Sequence, residues 1–185
     1  MVIVTTGGGF EWNDITPLLV PAMVDIAEPI PANPAGMDQL DATLTAILQP
    51  PTAQAVPPLP ETAYNISGKT YAFEFSPLNL KTIRWEFDNS NEAKLFATFY
   101  NQPDRELTVG LDGIYRKYPV GEHDLLLGMC GKWTDAQTFL FEYDAIANSD
   151  AYTLELHFDG DGVTINAKER THAADMTLEG KLQNP

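Results

Sequence analysis

The chain has 185 residues, 44% of them hydrophobic and 10% aromatic, which fits one or two globular domains and excludes a disordered chain. Eleven Lys and Arg stand against 26 Asp and Glu, a formal charge of −15, so neither a nucleic-acid backbone nor an anionic membrane surface is an expected partner. The single cysteine, Cys130, rules out an internal disulfide, and no apolar run approaches the roughly 18 residues of a membrane-spanning helix.

Residues 1–6 are a β-branched run that reads as a short strand, ended by Gly7-Gly8-Gly9. Asn13 or Asp14 is a suitable cap for a helix over residues 14–27. Pro17 fits its first turn, and Pro21 should kink or shorten it. A second helix is better specified. Asn33 is a good N-cap and Pro34 a good first residue, and Met37, Leu40, Leu44, Ile47 and Leu48 then form one apolar stripe at helical spacing. Pro50-Pro51 stops it. Residues 49–67 hold Pro50, Pro51, Pro57, Pro58 and Pro60 and read as an extended, semi-rigid linker. Before Lys69 there are seven acids and no base.

From residue 68 to 185 the apolar period changes from 3.6 to 2. Tyr71, Phe73 and Phe75 share one face, as do Ile83, Trp85 and Phe87. Further runs cover residues 94–100, 106–109, 114–118 and 125–130. Phe139, Phe141 and Tyr143 share a face, then Tyr152, Leu154, Leu156 and Phe158, then Val163, Ile165 and Ala167. Met176, Leu178 and Leu182 close the series. Turn signals separate the runs, among them Ser76-Pro77, Asp88-Asn89, Asp112-Gly113 and Asp159-Gly160-Asp161-Gly162. About ten short, sequence-adjacent strands imply an antiparallel up-and-down β-barrel or a strongly curved sheet. Its inward residues are mostly large aromatics, so the interior is expected to be largely filled.

The motifs that would carry chemistry are incomplete. Residues 5–9 lack the lysine of a phosphate loop, and Trp12 stands where the dinucleotide fingerprint needs its third glycine. Asp159-Gly160-Asp161-Gly162 begins like a calcium loop, but Val163 and Arg170 occupy ligand positions five and twelve, so a hairpin turn is expected. His123, His157 and His172 have no metal-ligand spacing and no link to Cys130, which reads as a buried, inert thiol. No Gly-x-Ser-x-Gly elbow is present. Glu142 with Asp144, or Glu74 with Glu86, are acid pairs of the kind that a solvated face carries. Trp12, Trp133 and Tyr118 are aromatics for which packing is the commoner role. No metal and no cofactor is expected.

The order of segments resembles the C-terminal region of the β-lactamase-related, penicillin-recognising serine hydrolases. Residues 1–8 look like the last strand of that catalytic domain, and Asp14-Ile15-Thr16-Pro17-Leu18-Leu19-Val20-Pro21-Ala22-Met23 looks like its closing helix. Ile66-Ser67-Gly68-Lys69-Thr70-Tyr71-Ala72-Phe73, Gly110-Leu111-Asp112-Gly113-Ile114-Tyr115, Gly131-Lys132-Trp133-Thr134-Asp135 and residues 163–170 are similar to the β domains that follow in some members. The nucleophile motif Ser-x-x-Lys, the Tyr-x-Asn element and the Lys-Thr-Gly strand are missing, so no catalytic residue carries over. The resemblance implies a piece of a hydrolase: residues 1–48 the end of a catalytic domain, 49–67 the linker and 68–185 a lipocalin-like barrel. It implies a chain without activity of its own, an accessory barrel that shapes substrate access or subunit association, and a bacterial cytoplasmic or periplasmic setting. Residues 1–4 have neither the basic nor the apolar region of a signal peptide, so the compartment stays open.

Two other readings stand beside it. A lipocalin-like carrier would hold a small hydrophobic ligand inside the barrel, with Trp85, Phe141 and Tyr143 on the inward face as candidate contacts. A cavity above roughly 300 Å³ would favour the carrier, and a filled interior the accessory domain. An adaptor would use the acidic surface to bind a basic partner. Ile15, Leu18, Leu19 and Met23 are expected to bury their apolar face against a catalytic domain or a second copy, with a homodimer favoured.

Overall fold

The computed structural model describes residues 17, 32–76, 78–120, 125–146, 150–170 and 174–183. The chain divides into two compact units, Met1–Thr52 and Ala53–Pro185. The strand expected over residues 1–6, Trp12, the contact residues Ile15, Leu18, Leu19 and Met23, and His123 and His172 lie outside the described residues.

In the first unit, α1 runs Pro34–Leu48 as expected. The Asn33 side-chain oxygen accepts from the Gly36 N–H at 3.0 Å, and proline fills the first helical position. Its apolar stripe is exposed: Met37, Leu40, Leu44, Ile47 and Leu48 are all open to solvent.

The second unit contains α2 (Glu61–Ile66), β1 (Thr70–Phe73), β2 (Leu80–Phe87), β3 (Glu92–Phe99), β4 (Arg105–Gly110), β5 (Arg116–Val120), β6 (Leu125–Trp133), β7 (Thr138–Ala145), β8 (Ala151–Asp159), β9 (Gly162–Glu169) and β10 (Met176–Leu182). Helix α2 corrects the reading of residues 49–67 as wholly extended. The prolines stop at Pro60, Glu61 places an acid in the first turn, and Ala63 and Ile66 share a face that is buried in the barrel core.

Neighbouring strands follow the chain, and the last pairs with the first: Tyr71 of β1 faces Leu182 of β10. Nine strands close into a barrel, because β4 also meets β6 at Gly110 and Cys130. That one contact is parallel, a departure from the fully antiparallel meander expected, and it leaves β5 paired to β6 alone among the described residues. The cause is a tight corner over residues 110–116. A Cβ at Gly110 would lie 1.9 Å from the Ile114 carbonyl oxygen, so the chain doubles back there as only glycine allows. Ile114 is thereby spent in the corner, and β5 starts at Arg116, two residues later than the apolar run suggested.

An ion cluster pins the corner. The buried Asp112 carboxylate accepts from Arg116 Nη1 and Nη2 at 3.1 Å each, from Asn91 Nδ2 at 3.0 Å and from the Ile114 N–H at 3.1 Å. Arg116 Nε also donates to Glu92 at 2.5 Å. The Arg116 hydrogen bonds dominate the effect on Asp112 and hold its pKa down to about 2.

Alternation sorts the side chains as expected. Strand β9 buries Val163, Ile165, Ala167 and Glu169 and leaves the residues between them more open. The Asp159–Gly162 segment is a two-residue hairpin turn, with Gly160 at φ +57°. Among the described residues no helix is long and apolar enough to cross a membrane, and no three potential metal ligands gather.

Candidate ligand-binding site

The strand directions give the barrel two unlike ends. The turns β2–β3, β6–β7 and β8–β9 and helix α2 stand at one end. The connections β1–β2, β3–β4 and β7–β8 stand at the other. At the first end the inward rings meet one another. Trp85 lies edge-on to Phe139 at 5.0 Å and to Phe141 at 5.4 Å between ring centres. Trp133 packs on Phe87, Phe139 and Phe158, and Tyr71 on Phe158. Trp133 is thus a packing aromatic, while Tyr118 is exposed on β5. Close backbone approach helps the rings fit: a Cβ at Gly131 would lie 2.6 Å from the Phe139 ring. This half is filled. Among the described residues the Tyr71 hydroxyl and Trp85 Nε1, both buried there, have no hydrogen-bond partner.

The other half is not filled, which corrects the expectation of a largely occupied interior. A cavity of about 230 Å³ opens there. Its walls are Leu80, Ile83 and Trp85 on β2, Leu95, Ala97 and Phe99 on β3, and Leu107 on β4. Across from these lie Phe141 and Tyr143 on β7, Leu154 and Leu156 on β8, and Ile165 on β9. The physical reason is residue size and register. Ala97 on β3 sits opposite Ile83 and reaches little way inward, and the aliphatic Leu154 and Leu156 continue the wall where the other half has rings.

The structure therefore brings Trp85, Phe141 and Tyr143 into the lining of one cavity, with Trp85 across from the other two. Trp85 and Phe141 form its inner part, and Tyr143 stands nearer the mouth, paired across the ladder with Tyr152. Burial and the Asp150 carboxylate push the Tyr152 hydroxyl up, so it stays a neutral donor at physiological pH.

Sequence reading missed the polar mouth: Gln102, Arg105 and Asp150. Arg105 stands just before the expected run 106–109. Its phase gave a signal, since Arg105, Leu107 and Val109 alternate onto the face that is buried.

The remaining reactive side chains lie elsewhere. A larger groove of about 550 Å³ runs outside the barrel wall, between residues 54–60 and the outer face of β6 and β7. It is the more polar of the two, and the Tyr115 hydroxyl donates there to Glu142 at 2.5 Å. Burial first, then this bond, pushes the Tyr115 hydroxyl up, so it is a held donor and not a base. Cys130 borders the groove, is buried, and has its thiol pushed up by that burial, as an inert thiol should. His157 is exposed on β8 within 3.2 Å of the Thr138 hydroxyl. Three of the four paired acids are divided among partners: Glu142 takes Tyr115, Asp144 takes Arg170 at 3.1 Å, and Glu86 takes Arg84.

No protein-family model matches the sequence, and no curated protein matches it. Among solved structures the fold is similar to that of As-p18, an extracellular fatty acid binding protein, with a TM-score of 0.50 and 12% identity over 69% of this chain and 100% of that one. At such identity the likeness is one of fold: residues 53–185 build a closed, lipocalin-like β-barrel with an apolar cavity at one end.

Proposed function

We propose that the barrel binds a small hydrophobic molecule in the cavity between Trp85 and Tyr143, without a catalytic step. The observation that carries this is the 230 Å³ apolar space itself, in a barrel whose other half is occupied by aromatic rings in contact. A protein of the same fold that binds fatty acid supports the reading. The volume falls short of the roughly 300 Å³ that favours a carrier, while the interior is not filled either, so the enclosed part of the ligand is small. At about 30 Å³ for each water-sized group, the space takes roughly eight methylenes. At about 0.8 kcal/mol per buried methylene that gives about 6 kcal/mol, a dissociation constant of tens of micromolar.

Titration of the protein with 1-decanol, followed by tryptophan fluorescence and calorimetry, tests it. Saturable binding is expected, and Ala97→Phe should abolish it by filling the space while the barrel still folds. A screen of hydrophobic ligands that found nothing above weak background would sink the proposal.

A second reading keeps the barrel as an accessory domain of a β-lactamase-related hydrolase. The filled aromatic half and the modest cavity favour it. It predicts no hydrolysis of a chromogenic cephalosporin or short acyl ester by this chain. Activity abolished by mutating one of its own residues would refute it.

A further inference from the structure

The chain has four arginines, and three are ion-paired: Arg84 with Glu86, Arg116 with Asp112 and Glu92, and Arg170 with Asp144. Arg105 is the exception. It is half-buried at the cavity mouth and has no carboxylate partner among the described residues. Its Nη2 donates to the Gln102 side-chain oxygen at 3.3 Å, and its Cζ lies 5.6 Å from the centre of the Phe99 ring. Acids outnumber bases 26 to 11, so partners for a cation are plentiful on this chain. A half-buried guanidinium left with one neutral acceptor is a group that pays for desolvation without a counter-charge.

We propose that Arg105 is a head-group site, and that the ligand of the cavity is a single-chain amphiphile ending in a carboxylate. The inference rests on the ligand-binding reading above and names its ligand class. The guanidinium fork suits a carboxylate in a bidentate pair, and a ring and an amide already hold it in place. The tail runs inward past Ala97 and Phe141 towards Trp85. Asp150 lines the same mouth, so the head is drawn to the β4 side by both attraction and repulsion.

Calorimetry at neutral pH with decanoate, 1-decanol and decylammonium, on the wild type and on Arg105→Gln, separates the alternatives. The wild type should bind decanoate about tenfold or more tightly than decanol, as a charge-assisted hydrogen bond warrants. Arg105→Gln should bring decanoate down to the level of decanol and leave decanol within about twofold. Arg105→Lys should recover part of the preference, since it restores the charge but not the fork. Equal binding of decanoate and decanol to the wild type, or equal weakening of both in Arg105→Gln, would overturn the head-group assignment while the cavity reading stands. Tightest binding of decylammonium would overturn it too and transfer the role to Asp150. If none of the three binds the wild type, the cavity reading itself fails and this inference falls with it.

Discussion

The two ends of the barrel are built from the same strands and the same alternation, yet they differ in almost every physical respect. One end is roofed by α2 and packed with Trp85, Phe87, Trp133, Phe139 and Phe158. The other ends in Leu154, Ala97, two tyrosines and an arginine with no carboxylate partner among the described residues, around an open space. The contrast teaches that one end stores the stability that the other end gives up. An apolar cavity costs dispersion contacts in its lining, and the aromatic half offsets that loss.

The comparison can be broken by exchanging what each end does. The largest effect is expected from Phe139→Ala, which removes a fully buried ring touching Trp85, Phe87 and Trp133. It should cost about 3–5 kcal/mol in urea unfolding. Leu154→Ala at the open end should cost less, about 2 kcal/mol, because its space is already partly empty. It should also lengthen the preferred ligand tail. A cost equal to that of Phe139→Ala would mean the two ends are energetically alike.

The corner cluster gives a pH-dependent test. The folded-state pKa of Asp112 is depressed to about 2. Its stabilisation is therefore present above the usual carboxylate pKa near 4 and is lost as pH falls towards 2. Asp112→Asn should cost about 1.5 kcal/mol at neutral pH, and the gap to wild type should close between about pH 4 and 2. A gap that persisted at pH 2 would assign the loss to geometry and not to charge. The smallest effect has the opposite sign. Tyr71→Phe removes a buried hydroxyl with no partner among the described residues and should stabilise the closed end by up to about 1 kcal/mol in the same unfolding assay.

Much of this contrast lies beyond what alternation encodes. Period 2 placed Phe139, Phe141 and Tyr143 on one face, and Trp85 with them, because the pleat sends every second residue the same way. It carries no information on how completely facing rings fill the space between walls, so the empty half was not legible. Helix α2 was hidden by the prolines before it, although residues 61–66 contain none. The parallel touch of Gly110 on Cys130 depends on a close backbone approach that only the folded corner reveals. Arg105 was readable in phase but not in type, since a charged residue beside a turn ordinarily belongs to solvent.

The pairing of β1 with β10 has a consequence for the order of folding. Apart from the contact between β4 and β6, every other ladder joins strands that follow one another in the chain. The hairpins can therefore form from local contacts, while Tyr71 must wait for Leu182 and Thr70 for the Gln183 N–H that it accepts at 2.8 Å. Loop-closure entropy falls almost wholly on that one seam, which makes its closure the expected rate-limiting step. Until β10 arrives, β1 presents an unpaired edge, so the last strand to form is also what shields the nascent sheet from other chains.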